Sequence, residues 1–259
     1  MRHRQIHPMR QTIIAVAIAS LLGASPVFAE GTKIAVKADR ISLFEVPLRC
    51  EAAPEIGCGS RSKPILLELE HEPIIREAWL NGAGTVLAVV GTEGSSRESR
   101  TKAVQSVLEK NGATATELDG EARETEVKNF VSGNDWYRGA EVDNLSKQEA
   151  RTIAARLVRR VQAKVVLPQE KAKALETGLA NVLARWFVGG PDNSVGTREK
   201  RQLGEQLLKV AHENLDEKEI VAFQEAIARG CRPQADDKAE TKTETTAPDC
   251  CSTKSPGKS

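Results

Sequence analysis

Residues 75–90 read IREAWLNGAGTVLAVV, and this stretch has the pattern of a β-hairpin. Its two halves, 75–80 and 85–90, are rich in the apolar and β-branched residues that favour strands. Between them, Asn81-Gly82-Ala83-Gly84 supplies residues that tolerate positive φ angles, as a tight turn requires. The stretch therefore predicts two neighbouring antiparallel strands.

Strand and helix signals alternate on both sides of this hairpin. The resulting order is strand, helix, strand, strand, helix, strand, which is the split-βαβ, ferredoxin-like pattern. We therefore expect an α+β protein whose first domain spans residues 33–120. The elements predicted around the hairpin are a strand at 41–46, a helix at 59–72, a helix at 96–110 and a strand at 114–118.

The second half of the chain has a helical pattern. Ser146-Lys147-Gln148-Glu149 has the form of an N-terminal capping box, and apolar residues then recur at helical spacing. Four amphipathic helices with short connections predict a small helical bundle over 145–230. The polar segment 121–144 is predicted to be a linker, and the Lys-, Glu-, Thr- and Pro-containing tail 231–259 is predicted to be disordered.

The N-terminus has the three parts of a cleavable signal peptide. Arg2, Arg4 and Arg10 precede an apolar run from 12 to 22, and Val27-Phe28-Ala29 provides a small-residue exit. Residues 1–29 therefore predict export, to the periplasm or outside the cell. The apolar run is shorter than the roughly 20 residues of a membrane anchor, so no membrane association is expected after cleavage.

Cleavage of this signal peptide is a direct prediction. The exported protein should begin at Glu30 or within a few residues of it, because Ala29 has the small side chain that precedes such cleavage sites. N-terminal sequencing of the exported protein checks this. Recovery of an intact chain beginning at Met1 from the membrane fraction would contradict it.

Composition excludes several classes of function. The 37 basic and 36 acidic residues leave a net charge of +1, so there is no overall positive field of the kind that binds nucleic acid. The sequence has no nucleotide-binding loop, serine nucleophile elbow or His-Glu metalloprotease motif. A thiol-redox enzyme is disfavoured because Cys-x-x-Cys is absent. We therefore expect no enzymatic activity.

The five cysteines hold the most specific chemical signal. The loop before the first predicted helix reads Gly57-Cys58-Gly59-Ser60-Arg61, and Ile65 and Leu69 follow on one helical face. Lys110-Asn111-Gly112-Ala113 closes the second helix. With the element order, these residues resemble the heavy-metal-associated domain of copper chaperones, metal-pumping ATPases and periplasmic mercury-binding proteins, over residues 40–118.

The resemblance implies a site for a soft metal ion, Cu(I) or Hg(II), in this loop. Family members have Cys-x-x-Cys there; Cys58 matches the first cysteine, but Arg61 replaces the second. Soft ions require two thiolates in near-linear geometry, and Cys50 is the candidate second ligand. Two other interpretations stay open: a Cys50–Cys58 structural disulfide in a domain that serves protein interaction, and two unrelated thiols.

Two further features are candidates for binding. Cys250 and Cys251, adjacent in the tail, form a second candidate soft-metal site, or an incidental sequence. The helical half weakly resembles periplasmic metal-stress proteins, and we expect any protein partner to bind there. Arg156, Arg159, Arg160 and Lys164 form either a partner-binding stripe or a solvated helix face.

Overall fold

The computed structural model of the chain describes residues 36–189 and 197–240. The predicted signal peptide and the Cys250-Cys251 pair lie outside these residues. The described part is a mixed α+β structure with one antiparallel sheet, ordered β4-β1-β3-β2-β5. The strands are β1 (Ile41–Glu45), β2 (Ile75–Asn81), β3 (Val86–Gly91), β4 (Thr116–Glu117) and β5 (Trp136–Arg138).

Seven α-helices lie in the described ranges, four of them after the last strand. They are α1 (Gly59–His71), α2 (Arg97–Lys110), α3 (Gly120–Ser132), α4 (Asp143–Gln162), α5 (Gln169–Gly189), α6 (Thr197–Asn214) and α7 (Glu217–Ala228). Short 3₁₀ turns occur at Ala38–Arg40, Gly139–Val142 and Ala235–Glu240. None of the described helices combines the length and the apolar character needed to cross a membrane.

The predicted hairpin is present as β2 and β3, paired in register from Ala78↔Val89 to Leu80↔Leu87. Asn81 closes its turn, because its Oδ1 accepts hydrogen bonds from the backbone N–H groups of Thr85 (2.8 Å) and Val86 (3.0 Å). All six residues of β3 are buried. A strand that is buried on both faces has no polar alternation, as the sequence VLAVVG shows.

Both faces of the sheet are covered by helices. One face packs on α1 and α2 through a core that includes Phe44, Leu66 and Leu108. The opposite face packs on α3, where Phe130 is fully buried in a smaller apolar cluster with Trp136. The sheet is therefore the middle layer of a three-layer arrangement.

Residues 121–144, predicted as a linker, instead form α3, β5 and a 3₁₀ turn. β5 extends the sheet by pairing with β2, with Leu80 opposite Tyr137. The Phe130 ring makes edge-to-face contacts with Trp79 and Trp136, at centroid distances of 5.8 and 5.0 Å. Phe130 is the one fully buried residue of this helix, and Val127 and Val131 pack partly buried in the same cluster, so the apolar stripe of the helix is only about one turn long.

The helices after β5 share a second core. It contains Ile153, Leu157, Leu179 and Phe223, and α4 contacts α5 and α7. The helix α4 begins at Asp143 without a side-chain cap, so the predicted capping box at 146–149 is wrong. The chain enters α4 directly from the preceding 3₁₀ turn, so the helix begins before the predicted cap. Ser146 and Glu149 therefore lie within the helix, and both are buried.

The first residues of the predicted disordered tail are ordered. Arg160 is only 4% exposed, and its guanidinium bonds the Asp237 carboxylate at 3.0 and 2.7 Å. It also donates to the carbonyl oxygens of Gly230 (2.5 Å) and Arg232 (2.8 Å). Arg160 therefore holds the segment after α7 against α4.

This arrangement also corrects the prediction of an arginine stripe. Arg156 and Arg160 are buried and make internal hydrogen bonds, so they form neither a solvated face nor a partner surface. Arg159 and Lys164 are exposed, in agreement with a solvated face at those two positions. Arg156 and Arg160 differ from Arg159 and Lys164 because the segment after α7, residues 230–237, covers the side of α4 that bears Arg156 and Arg160.

Candidate functional site

The segment between β1 and α1 positions both predicted site cysteines. It folds back on itself through an antiparallel bridge between Arg49 and Gly57. The Cys50 N–H donates to the Ile56 carbonyl at 2.8 Å, and the Cys58 N–H donates to the Leu48 carbonyl at 2.7 Å. We call residues 46–58 the cysteine loop.

Two glycines anchor the cysteine loop to the hairpin turn. The Gly57 N–H donates to the Gly82 carbonyl at 2.7 Å, and the Leu48 N–H donates to the Gly84 carbonyl at 3.0 Å. A Cβ atom on Gly84 would lie 2.6 Å from the Gly57 Cα, so the two backbones touch. The hairpin turn thereby fixes the start of α1, where Cys58 is found.

Cys58 is the N-cap residue of α1 and is partly exposed. Its sulfur lies 3.5 Å from the Ser60 hydroxyl, and its carbonyl accepts a hydrogen bond of 2.7 Å from the Ser62 hydroxyl. The thiol borders an open cleft of about 610 Å³. The cleft is lined by Arg49, Glu51, Cys58, Arg61, Pro64, Lys110 and Asn111.

The cleft beside Cys58 is positively charged. Three of its lining residues are basic, Arg49, Arg61 and Lys110, and one, Glu51, is acidic. Arg61 donates hydrogen bonds to the carbonyl oxygens of Pro47 and Gly112, at 3.3 and 3.2 Å. Because carbonyl groups are neutral, these contacts do not balance the positive charge of Arg61. Lys110 forms an ion pair with Glu68 outside the cleft lining, at 2.5 Å.

Cys50 occupies a different environment. Its side chain is only 5% exposed, and the Glu149 carboxylate on α4 lies close enough to act on its thiol. Burial, together with this carboxylate, raises the pKa of Cys50 to about 12. Cys50 is therefore a protonated, internal thiol, whereas Cys58 faces the cleft.

The sequence did not reveal the groups that surround Cys50. Glu149 is 7% exposed, and burial raises the pKa of its carboxyl. Arg156 lies two turns further along α4 and is 6% exposed. Both charges lie on the same helical face as the buried Leu145 and Ile153, at spacings of four and three residues. In the sequence, the two charged residues on the apolar face of this helix could have predicted a buried polar cluster.

The described cysteines, Cys50, Cys58 and Cys231, are all free thiols. The structure therefore contains no Cys50–Cys58 disulfide, and the two side chains have different partners. Within the described ranges no group of three or more His, Cys, Asp and Glu side chains is arranged to hold a metal ion. A site at Cys58 would thus rest on one protein thiol in a cationic cleft.

No protein-family model, no curated protein and no solved structure matches this chain.

Proposed function

We propose that this protein is an exported binder of a soft, thiol-reactive metal ion, Cu(I) or Hg(II), and that Cys58 is its protein ligand. The observation that carries the proposal is the position of Cys58, a free thiol bordering a cleft with three basic side chains. Thiolate is the ligand that these soft ions prefer.

The second ligand in this proposal comes from outside the chain. Cu(I) and Hg(II) favour two sulfur ligands. To serve as the second ligand, Cys50 would have to move away from Glu149 and lose a proton from a thiol whose pKa is about 12. A small anionic thiol that carries the metal avoids both steps. Arg49 and Arg61 are suited to bind its carboxylates, because guanidinium groups pair with carboxylates in a bidentate manner.

The order of the elements supports the proposed relation to the heavy-metal-associated, ferredoxin-like fold. The first four strands are arranged β4-β1-β3-β2, with α1 and α2 packed on the same face. Cys58 directly precedes α1, where that family places its metal loop. The common core of α4 to α7 likewise supports a helical bundle, which we propose as the region that binds a protein partner.

Metal titration tests the proposed site. The reduced full-length protein is titrated with Hg(II) as its glutathione complex, in competition with a chelator, and binding of one ion per chain is expected. Cys58→Ser should weaken binding by at least about tenfold, since it removes the one thiol among the described residues that line the cleft. Cys50→Ala should retain binding, and so should truncation after residue 240.

The three variants separate the alternatives. Loss of binding with Cys50→Ala, in a protein that retains its circular dichroism, would show that both loop cysteines chelate the ion. Loss on truncation would place the site at Cys250 and Cys251. Equal, weak binding by all four proteins would contradict a metal function and favour a protein-interaction module. Replacing Arg49 and Arg61 with Gln should weaken the glutathione complex more than free Hg(II).

A further inference from the structure

Two distant segments of the chain meet beside Cys50. The Arg156 Nη1 donates to the carbonyl oxygens of Ala52, at 2.7 Å, and Cys231, at 2.6 Å. Since both oxygens bond the same nitrogen, they cannot be farther apart than the sum of these distances. Glu51 and Arg232, the residues that follow Cys50 and Cys231, form an ion pair. The backbones that carry Cys50 and Cys231 are thus neighbours.

The two thiols also lie near the same carboxylate. Burial, with a smaller effect of the Glu149 carboxylate, raises the pKa of both the Cys50 and the Cys231 thiol. Cys231 packs against the core of the C-terminal helices, and so does Ala52 from the cysteine loop. Both cysteines therefore face one internal region where the cysteine loop, α4 and the tail segment meet.

We propose that Cys50 and Cys231 form a disulfide when the protein meets a disulfide oxidant, which fastens the cysteine loop to the segment after α7. Here the two cysteines are in the reduced state. The proposal needs no part of the metal site, because Cys58 is not involved. The predicted export supports it, since disulfides form and persist in oxidising compartments.

The chemistry is thiol–disulfide exchange with an external disulfide such as oxidised glutathione. Cys231 is partly exposed and reacts first: its sulfur bonds one sulfur of the oxidant, and the oxidant's S–S bond breaks. Cys50 then passes its proton to the neighbouring Glu149 carboxylate and attacks the Cys231 sulfur of this mixed disulfide, which releases the second thiol of the oxidant. Together the two protein thiols lose two electrons and two protons. The oxidant takes up these electrons and protons and leaves as two thiols.

Peptide mapping tests the connectivity. The full-length reduced protein is incubated with oxidised glutathione, alkylated in denaturant, and digested with a protease that cleaves after glutamate. Cleavage after Glu51 and Glu55 separates Cys50 from Cys58. Mass spectrometry without reduction should find the Cys50 and Cys231 peptides joined to each other and Cys58 either alkylated or joined to glutathione. A Cys50–Cys58 link, or alkylation of both Cys50 and Cys231, would overturn the proposal.

Thermal unfolding gives an independent readout. Oxidation should raise the midpoint temperature of the wild type by about 5–10 °C, as expected for a cross-link that closes a long loop in a chain of this size. Cys58→Ser should keep this shift. Cys231→Ser, at a partly exposed position, should lose it while its reduced form melts near the reduced wild type. Loss of the shift with Cys58→Ser, or its persistence with Cys231→Ser, would contradict the proposal.

Discussion

Gly84→Ala is expected to lower the free energy of unfolding by about 2–5 kcal/mol. Gly84 has φ +69°, where a side chain costs about 1–2 kcal/mol. A Cβ atom there would also lie 2.5 Å from the Leu48 carbonyl oxygen and 2.6 Å from the Gly57 Cα. Both are backbone atoms, so relief requires moving the cysteine loop, and overpacking of this kind costs about 1–3 kcal/mol more.

Gly94→Ala is the matched control for Gly84→Ala. Gly94 has φ +79°, but no atom lies within 4 Å of the position that a Cβ would take. Its expected cost is therefore the conformational part alone, about 1–2 kcal/mol. Urea unfolding of both variants measures the difference as a shift in midpoint at constant slope. Equal midpoints for the two variants would show that a side chain at position 84 creates no additional strain between the hairpin turn and the cysteine loop.

The Gly84 variant also links the fold to the candidate site. Displacing Leu48 and Gly57 moves the carbonyl group that accepts a hydrogen bond from the Cys58 N–H and the residue that precedes Cys58. We therefore expect Gly84→Ala to weaken metal binding at Cys58 under conditions where the protein is still folded. Gly94→Ala, in the loop between β3 and α2, should leave metal binding unchanged.

Arg160→Met is expected to lower the free energy of unfolding by about 3–5 kcal/mol. Removal of one member of a buried ion pair leaves the other charge without compensation, which is the reason for an effect of this size. The Asp237 side chain is 8% exposed, and its carboxylate lies 2.7 Å from the Arg160 guanidinium, against 3.9 Å from that of Arg229. Loss of Arg160 also frees the carbonyl oxygens of Gly230 and Arg232.

The neighbouring Arg159→Met provides the control for Arg160→Met. Arg159 is on the same helix and exposed, so its replacement should change the free energy of unfolding by no more than about 0.5 kcal/mol. Hydrogen exchange should show faster exchange of the 230–237 amides in the Arg160 variant only. Unchanged protection of that segment would mean that other contacts hold it in place.

The dependence on pH follows from Asp237. Its hydrogen bonds with Arg160 lower the pKa of Asp237 from an ordinary 3.8 to about 2. Because the pKa of Asp237 is lower in the folded protein than in the unfolded chain, the ionised carboxylate stabilises the folded protein at pH values above the unfolded-state pKa. This contribution is lost as the pH falls from about 4 towards 2. The difference in unfolding free energy between wild type and Arg160→Met should therefore shrink across that range. A constant difference would contradict the ion pair.

Much of the first hundred described residues was predictable because its signals are local. The hairpin turn at Asn81 to Gly84, the helix starting after Cys58 and the helix starting after Ser96 all lie where turn and capping residues predict them. Ser96 accepts a hydrogen bond of 3.1 Å from the Ser99 N–H, the contact that a serine N-cap makes. Such contacts span a few residues, so the sequence alone contains them.

The sequence by itself determined the mixed α+β class, the hairpin and the placement of Cys58 at a helix start, since each depends on short-range periodicity or turn chemistry. Only the tertiary structure decided that α3 covers the sheet, because Phe130 of α3 packs on Trp79 of β2, about fifty residues earlier in the chain. It also decided that Cys50 is internal and that the carbonyl groups of Ala52 and Cys231 share one hydrogen-bond donor, Arg156. Those positions depend on Glu149 and Arg156, which are about a hundred residues from Cys50 and reach it only after α4 has packed.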